Sequence, residues 1–502
     1  MNRRDAISLG LAGSALLSGV AGLPSSPLAA TADMPDAPRW LTLLAASEAG
    51  ERDYAPRVDG RIPAGLEGSL FRNGPGLFER GGLRKAHLLD GDGLVQCLTL
   101  SGGRARYRNH FVRTTKYREE EEAGRYLYAT WSTRRPGGFL HNLGGGISQP
   151  QAGVTVYPFR DAIYAFDEAS PVYRLDADTL SAEEPVTFGD GRDFSIKAHT
   201  KFDPVTGDWL MIGVSHGRTM TLHAIVHGAD GRLKSHHSYE SPRQIYIHDF
   251  FATQHHFVFH LHPLTFSPWG FLAGFNSYID SLTWQPDEGS LVMVVPRSGG
   301  EPQVFEAPPS FMWHALNAYE QGGDIIADFV GYAAPDHFIG EDAQLRRIMQ
   351  GQTGVAEAQG KLRRFIITPA TGTLREEVLA DGWHEFPMVD PRAATRPHDV
   401  AYLSSGGVGV LNSGIKRLDM RSGAVQEFDF GPTSVAGEPV FAPRPGGGMD
   451  DGWLITQVLD GTSGTSRFAI FDARAVDAGP VADIRLDHPL PISFHGAWLA
   501  RA

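Results

Sequence analysis

The chain has 502 residues, 42% hydrophobic and 21% charged, with a formal net charge of −13. That composition is globular, and the acidic balance argues against a nucleic-acid partner. A single cysteine, Cys97 in the apolar run GLVQCLTL, excludes an intramolecular disulfide and reads as a small buried hydrophobe.

Residues 1–32 read as an export signal. Arg3 and Arg4 form a twin-arginine pair, a short apolar stretch runs from Ile7 to Leu17, and small residues lead to Ala32. The apolar stretch is too short to span a membrane. Twin-arginine signals serve the bacterial route for folded proteins, so the expected location is the periplasm. Beyond Pro38 no linker divides the chain. The block GRIPAGLEGSLFRNGPGLFE comes first, then a DGDG turn at Asp90–Gly93. That turn lacks the twelve-residue loop of a calcium site. Strand-like runs follow, bounded by Gly, Pro or Asp: VTVYP, AIYAF, WLMIGV, HFVFHLH, LVMVVP, DIIADFV, LRRFIIT, WLITQVL and RFAIFD. The best helical candidate is EDAQLRRIMQ, residues 341–350. With 59 Gly and 33 Pro the chain reads as all-β, built of many short strands. No blade repeat is legible, so the pattern leaves sandwich, barrel and propeller open, with length favouring the propeller.

Four histidines sit in strand-like segments: His199 in SIKAHTKF, His248 in QIYIHDFF, His314 in FMWHALNA and His495 in PISFHGAW, separated by 49, 66 and 181 residues. No short metal motif has such spacing, so a zinc finger or a helical HExxH site is excluded. If a fold brought them together, four neutral imidazoles would leave a bound iron(II) its full charge and two open positions. His384 and His398 read as structural residues or neighbours of a site entrance.

Together with the Gly-x-Leu-x-Arg-Asn-Gly-Pro-Gly segment, the DGDG turn, the FVRTTKY strand and the C-terminal blocks GEPVF and WLITQVLD, these segments resemble the carotenoid cleavage oxygenases. The resemblance runs from Pro38 to the end, a single unit at 38–502. It implies a seven-bladed β-propeller with a dome of loops and short helices above a central axis holding one iron(II) per chain. It also implies that His199, His248, His314 and His495 are the ligands. Glu168 in FDEASP, Glu385 in WHEFP and Glu438 in GEPVF would each take the far ring nitrogen of one histidine, leaving His199 without such a partner. A carboxylate placed there fixes tautomer and ring orientation without occupying the metal.

The implied activity is oxygen-dependent cleavage of a conjugated C=C bond in a carotenoid or apocarotenoid, giving two carbonyl products. The expected partners are a hydrophobic alkene and O2, with no obligate protein partner. The apolar, aromatic segment from Leu261 to Leu282 and YLYATW suggest a tunnel lined by Trp131, Phe266, Trp269 and Phe271, its mouth in contact with a membrane surface. Stilbene-cleaving relatives carry a lysine just before the glutamate matching Glu168. Here that position is Asp167, which ranks stilbenoid or phenylpropene cleavage second. A non-catalytic binding propeller ranks third, because all seven site residues are present.

Overall fold

The structure is a computed structural model that describes residues 36–48, 50–145, 149–169, 171–407 and 409–501. The export signal expected at residues 1–32 lies outside these residues. Seven antiparallel sheets follow one another around a central axis as the blades of a propeller. Blade 1 holds Gly68–Leu77, Asp92–Ser101 and Arg104–Phe111; blade 2 runs from Thr155–Phe159 to Ala182–Val186. Blades 3, 4 and 5 begin with Ser195–Phe202, Phe251–Ala252 and Phe311–Gln321. Blade 6 begins with His384–Met388 and blade 7 with Ser434–Ala436 and Val440–Pro443.

Two ladders close the ring. The C-terminal strand His495–Ala500 becomes the innermost strand of blade 1, pairing with Gly68–Leu77 in a register that sets His495 opposite Asn73. The N-terminal strand Arg57–Gly60 adds to the outer edge of blade 7 by pairing with Ala482–Arg485. Closure leaves no long hydrophobic edge for another chain to extend.

Period-2 alternation places apolar side chains on both faces of the middle strands, and each gap between blades is filled. Leu210, Ile212 and Leu222 of blade 3 pack on Phe257, Phe259 and Val295 of blade 4. Phe71, Val95 and Cys97 of blade 1 meet Val156, Ile163 and Ala165 of blade 2. Cys97 is fully buried, as its sequence context predicts.

The dome is built of short pieces: 3-10 turns at Leu41–Ala45 and Phe139–Asn142, a hairpin of Leu264–Phe266 with Leu282–Trp284, and a helix at Pro268–Leu272. The helix read at 341–350 is shorter than expected, an α-turn at Gln344–Arg347 continued as 3-10 to Gln350. Its Leu345, Ile348 and Met349 are held by the dome cluster with Leu41, Leu44 and Phe494, so packing rather than helical length fixes it.

Candidate metal centre

Every blade sends one residue toward the axis. His199, His248, His314 and His495 come from blades 3, 4, 5 and 1, and Glu168, Glu385 and Glu438 from blades 2, 6 and 7. A regular strand would turn alternate side chains away. The inner strands are bulged at these positions instead. Register slips occur between Ile196 and Thr200, between Met312 and Ala315, and between Glu385 and Met388. A bulge re-aims a side chain. After Glu385 the chain passes through a left-handed residue, Phe386, at φ 48°. A bulky residue there is strained, which marks a conformation imposed by its surroundings.

The four histidines are buried, and their ligand nitrogens all lie within 4.8 Å of one another. The Nε2 atoms of His314 and His495 are 3.1 Å apart, as are those of His199 and His248. Three rings turn Nδ1 to a carboxylate: His248 to Glu168, His314 to Glu385, and His495 to Glu438 at 3.1 Å. His199 has no such bond among the described residues. The carboxylate oxygen nearest its Nδ1 is Asp249 Oδ2 at 3.9 Å, beyond hydrogen-bond reach.

This geometry tests whether a metal fits. An ionised carboxylate only accepts, so each facing Nδ1 carries the hydrogen, and a neutral ring then presents a lone pair at Nε2. His314 and His495 then direct two lone pairs at each other across 3.1 Å, with no hydrogen between them. A cation between them removes that conflict. Two nitrogens about 2.1 Å from one ion and at right angles are themselves about 3 Å apart. The donor set therefore fits a metal with an all-imidazole first shell.

The carboxylates stay ionised despite burial. Burial pushes the Glu168 carboxyl up, but the Lys197 ammonium and His248 override it and hold it at about 2. Glu385 and Glu438 are likewise held below the usual range against burial, by His314 in one case and by His495 and Arg72 in the other. Burial drives His199 well below its ordinary value and lowers His495, so both stay neutral and able to accept a metal. Tyr246 donates to Glu168 at 3.0 Å and Tyr332 to Glu385 at 2.9 Å. Burial raises both phenols far above the ordinary range, so they remain donors.

Sequence reasoning missed this outer layer. Lys197 and Tyr246 each stand two residues before a histidine, where an extended chain points its side chains to one side. Arg72 lies in the Arg-Asn-Gly-Pro-Gly motif and is fully buried. It donates to Ser493 Oγ at 2.7 Å and to the carbonyls of Glu438, Ser493 and Phe494. The motif thus ties the His495 segment to Glu438. Gly74 is required there because a Cβ would meet Ile492 O at 2.3 Å.

An apolar cavity of about 60 Å³ adjoins His248, His314 and His495 on the dome side, bounded by Trp313, Phe386, Leu411, Ile492 and Phe494 among others. None of the four expected tunnel residues lines it. Trp131 and Phe266 lie half-buried one layer out, packed on Tyr278 with ring centroids 5.3 and 5.1 Å away. Phe271 packs edge-on against Phe266, and Trp269 is 79% exposed. The local apolar run that singled them out is a dome surface; the cavity wall comes from segments far apart in sequence. Asp167 also falls elsewhere. It is buried, and its carboxylate accepts from the backbone N–H groups of Gln151, Ala152 and Ala169. It faces no cavity at the histidines, so it carries no information about substrate. His384 bonds Gly360 O and Lys416, and His398 bonds Asn317 and lies 3.3 Å from Asp328 Oδ2.

The family profile described as Retinal pigment epithelial membrane protein matches residues 45–500. The chain belongs to the carotenoid cleavage oxygenase family. It is 30% identical over 469 residues to the apocarotenoid-15,15'-oxygenase of Synechocystis, covering 90% of this chain and 94% of that one. It is 26% identical over 472 residues to the isoeugenol monooxygenase of Pseudomonas putida, covering 88% and 94%. Cobalt-substituted Synechocystis apocarotenoid oxygenase superposes with a TM-score of 0.86 at 29% identity, covering 92% of this chain and 98% of that one. Family membership and the seven-bladed fold thus agree with the reading of the sequence blocks.

Proposed function

We propose that this carotenoid cleavage oxygenase family member is an iron(II)-dependent dioxygenase that splits a conjugated C=C bond of an apocarotenoid or related polyene into two carbonyl products. The observation that carries the reading is the set of four converging imidazoles, three locked by carboxylates, beside an apolar cavity. When bound, iron(II) would supply the electron chemistry that lets O2 react with an alkene, which the side chains alone cannot do. The residues of the chain do the rest. Glu168, Glu385 and Glu438 hold a proton on each Nδ1 and balance the charge of a dication. Trp313 and Phe386 present flat apolar faces at the histidines, against which a planar polyene can lie. The dome excludes bulk water.

One observation favours a polyene over a phenolic stilbenoid or phenylpropene. No lysine, arginine or tyrosine is among the described residues lining the dome-side cavity, so no cation or phenol there holds a phenolate. The test is to reconstitute the protein anaerobically with iron(II), admit air, and offer an apocarotenal, a full-length carotenoid and a hydroxystilbene. Two carbonyl fragments from the apocarotenal support the reading, and fragments from the stilbene alone replace it with the second.

Export through the twin-arginine route and a membrane contact belong to the same proposal. Leu140, Trp269 and Phe275 are 64%, 79% and 60% exposed, and Phe139 stacks on Phe275 at 5.3 Å. Exposed aromatic and aliphatic side chains grouped on two short helical turns and the loop that follows one of them suit the interface of a lipid bilayer. No helix of the described residues is long and apolar enough to cross a membrane. Flotation with liposomes should carry the protein, and Trp269→Ser with Phe275→Ser should release it.

A further inference from the structure

The four-histidine cluster has a second approach, along the propeller axis from the face opposite the dome. A channel of about 570 Å³ reaches His199, His314 and His495. Its outer rim includes Pro204, Pro391, Leu499 and Ala500, all exposed to solvent. The dome-side cavity differs in kind. No residue lining it is exposed, and its wall is apolar apart from the histidines and Glu385.

A hydrated dication sheds its water at great cost in crossing a narrow apolar cavity. The axial channel is wider and, though mostly apolar, carries a polar strip on one side with Arg392 elsewhere on its wall. Thr200, Lys201 and Asp249 lie on its wall, and Glu438 stands beside His495 at its inner end. Lys201 Nζ is 2.9 Å from Asp249 Oδ1, so the wall carries a compensated pair where a lone ammonium would repel a metal ion.

We propose that the axial channel is the entry route of the metal ion, separate from the side on which the alkene binds. The proposal rests on the reading of the four histidines as a metal site. The route divides labour between the two faces: hydrated ions move along the axis, and the apolar substrate is confined under the dome.

The experiment follows cobalt(II) uptake by the metal-free full chain. Its rate is read from the visible absorbance of the bound ion, and its final amount from metal analysis. Ala497 lies on the channel wall and Val410 on the dome-side wall. Ala497→Trp should slow uptake by about tenfold with the final cobalt content unchanged, as for association behind a steric barrier. Val410→Trp should leave the rate unchanged. Lys201→Gln removes a positive charge from the wall and should speed uptake about threefold at low ionic strength, the gain vanishing near ~1 M salt. An unaltered rate in both channel variants, or slowing in Val410→Trp alone, overturns the route. Should Ala497→Trp fail to fold, Lys201→Gln decides. Absence of bound cobalt in the wild-type chain at equilibrium would instead overturn the metal site itself, a distinguishable outcome.

Discussion

His199 and the other three histidines share one centre but are held in different ways. His248, His314 and His495 are each clamped through Nδ1 by a buried glutamate, which is in turn held by Tyr246 and Lys197, by Tyr332, or by Arg72 and the Gly496 N–H. His199 faces Asp249 across 3.9 Å, and that carboxylate is occupied by Lys201 and by the N–H groups of Phe250 and Ala315. The difference shows two ways to place a ligand. One sets tautomer and orientation by a direct bond. The other sets position through the backbone bulge at Ile196–Thr200, with no carboxylate among the described residues within hydrogen-bond reach of the ring's far nitrogen.

The largest effect should come from removing a clamped ligand. His314→Ala takes one donor away and leaves Glu385 buried without its histidine, so metal retention should be abolished, as read by metal analysis of the purified protein. Next is Glu385→Gln. The amide can offer an N–H to Nδ1, which favours the wrong tautomer, and metal affinity should fall by about 10–100-fold in competition with a chelator. Asp249→Asn should cost less than tenfold in the same assay, because no bond to His199 is lost. An equal loss in the two variants would erase the distinction and make Asp249 the true partner of His199.

The smallest effect lies outside the cluster. Burial pushes His384 down to about 4, with Lys416 adding to the shift. Its value in the unfolded chain is about 6.5. Between those two values the unfolded chain takes up a proton that the folded one refuses. This contribution to stability is therefore complete above pH 6.5 and is lost as the pH falls toward 4. His384→Gln should flatten that part of the acid profile, measured as urea midpoints at neutral and acidic pH, while metal content stays constant. A loss of metal in this variant would mean that His384 supports Glu385 rather than only the sheet beneath it.

The seven axial residues were legible because each sits in a short block whose order along the chain matches one family. The blades were not legible as a repeat. Their inner strands range from Phe251–Ala252 to the eleven-residue Phe311–Gln321, and the bulges that aim the histidines break the alternation a repeat would need. The cavity was illegible for a different reason. Its wall joins Trp313, Phe386, Leu411 and Phe494, which only the closed ring brings together, whereas the segment 261–282 announced itself by local apolarity and packs within the dome without lining that cavity. Asp167 misled because a position beside Glu168 on an extended chain points away from what Glu168 faces.

The closing strand has a consequence for how the protein matures. His495 lies on His495–Ala500, which closes the ring by pairing with Gly68–Leu77 of the first blade. The fourth nitrogen donor therefore arrives in the act of sealing. A ribosome-bound or truncated chain lacking this strand can gather at most three of the four. A metal held by all four nitrogens would therefore report that the ring has closed. A metal ion held there would act as a rivet between the strand that closes the ring and blades 3, 4 and 5.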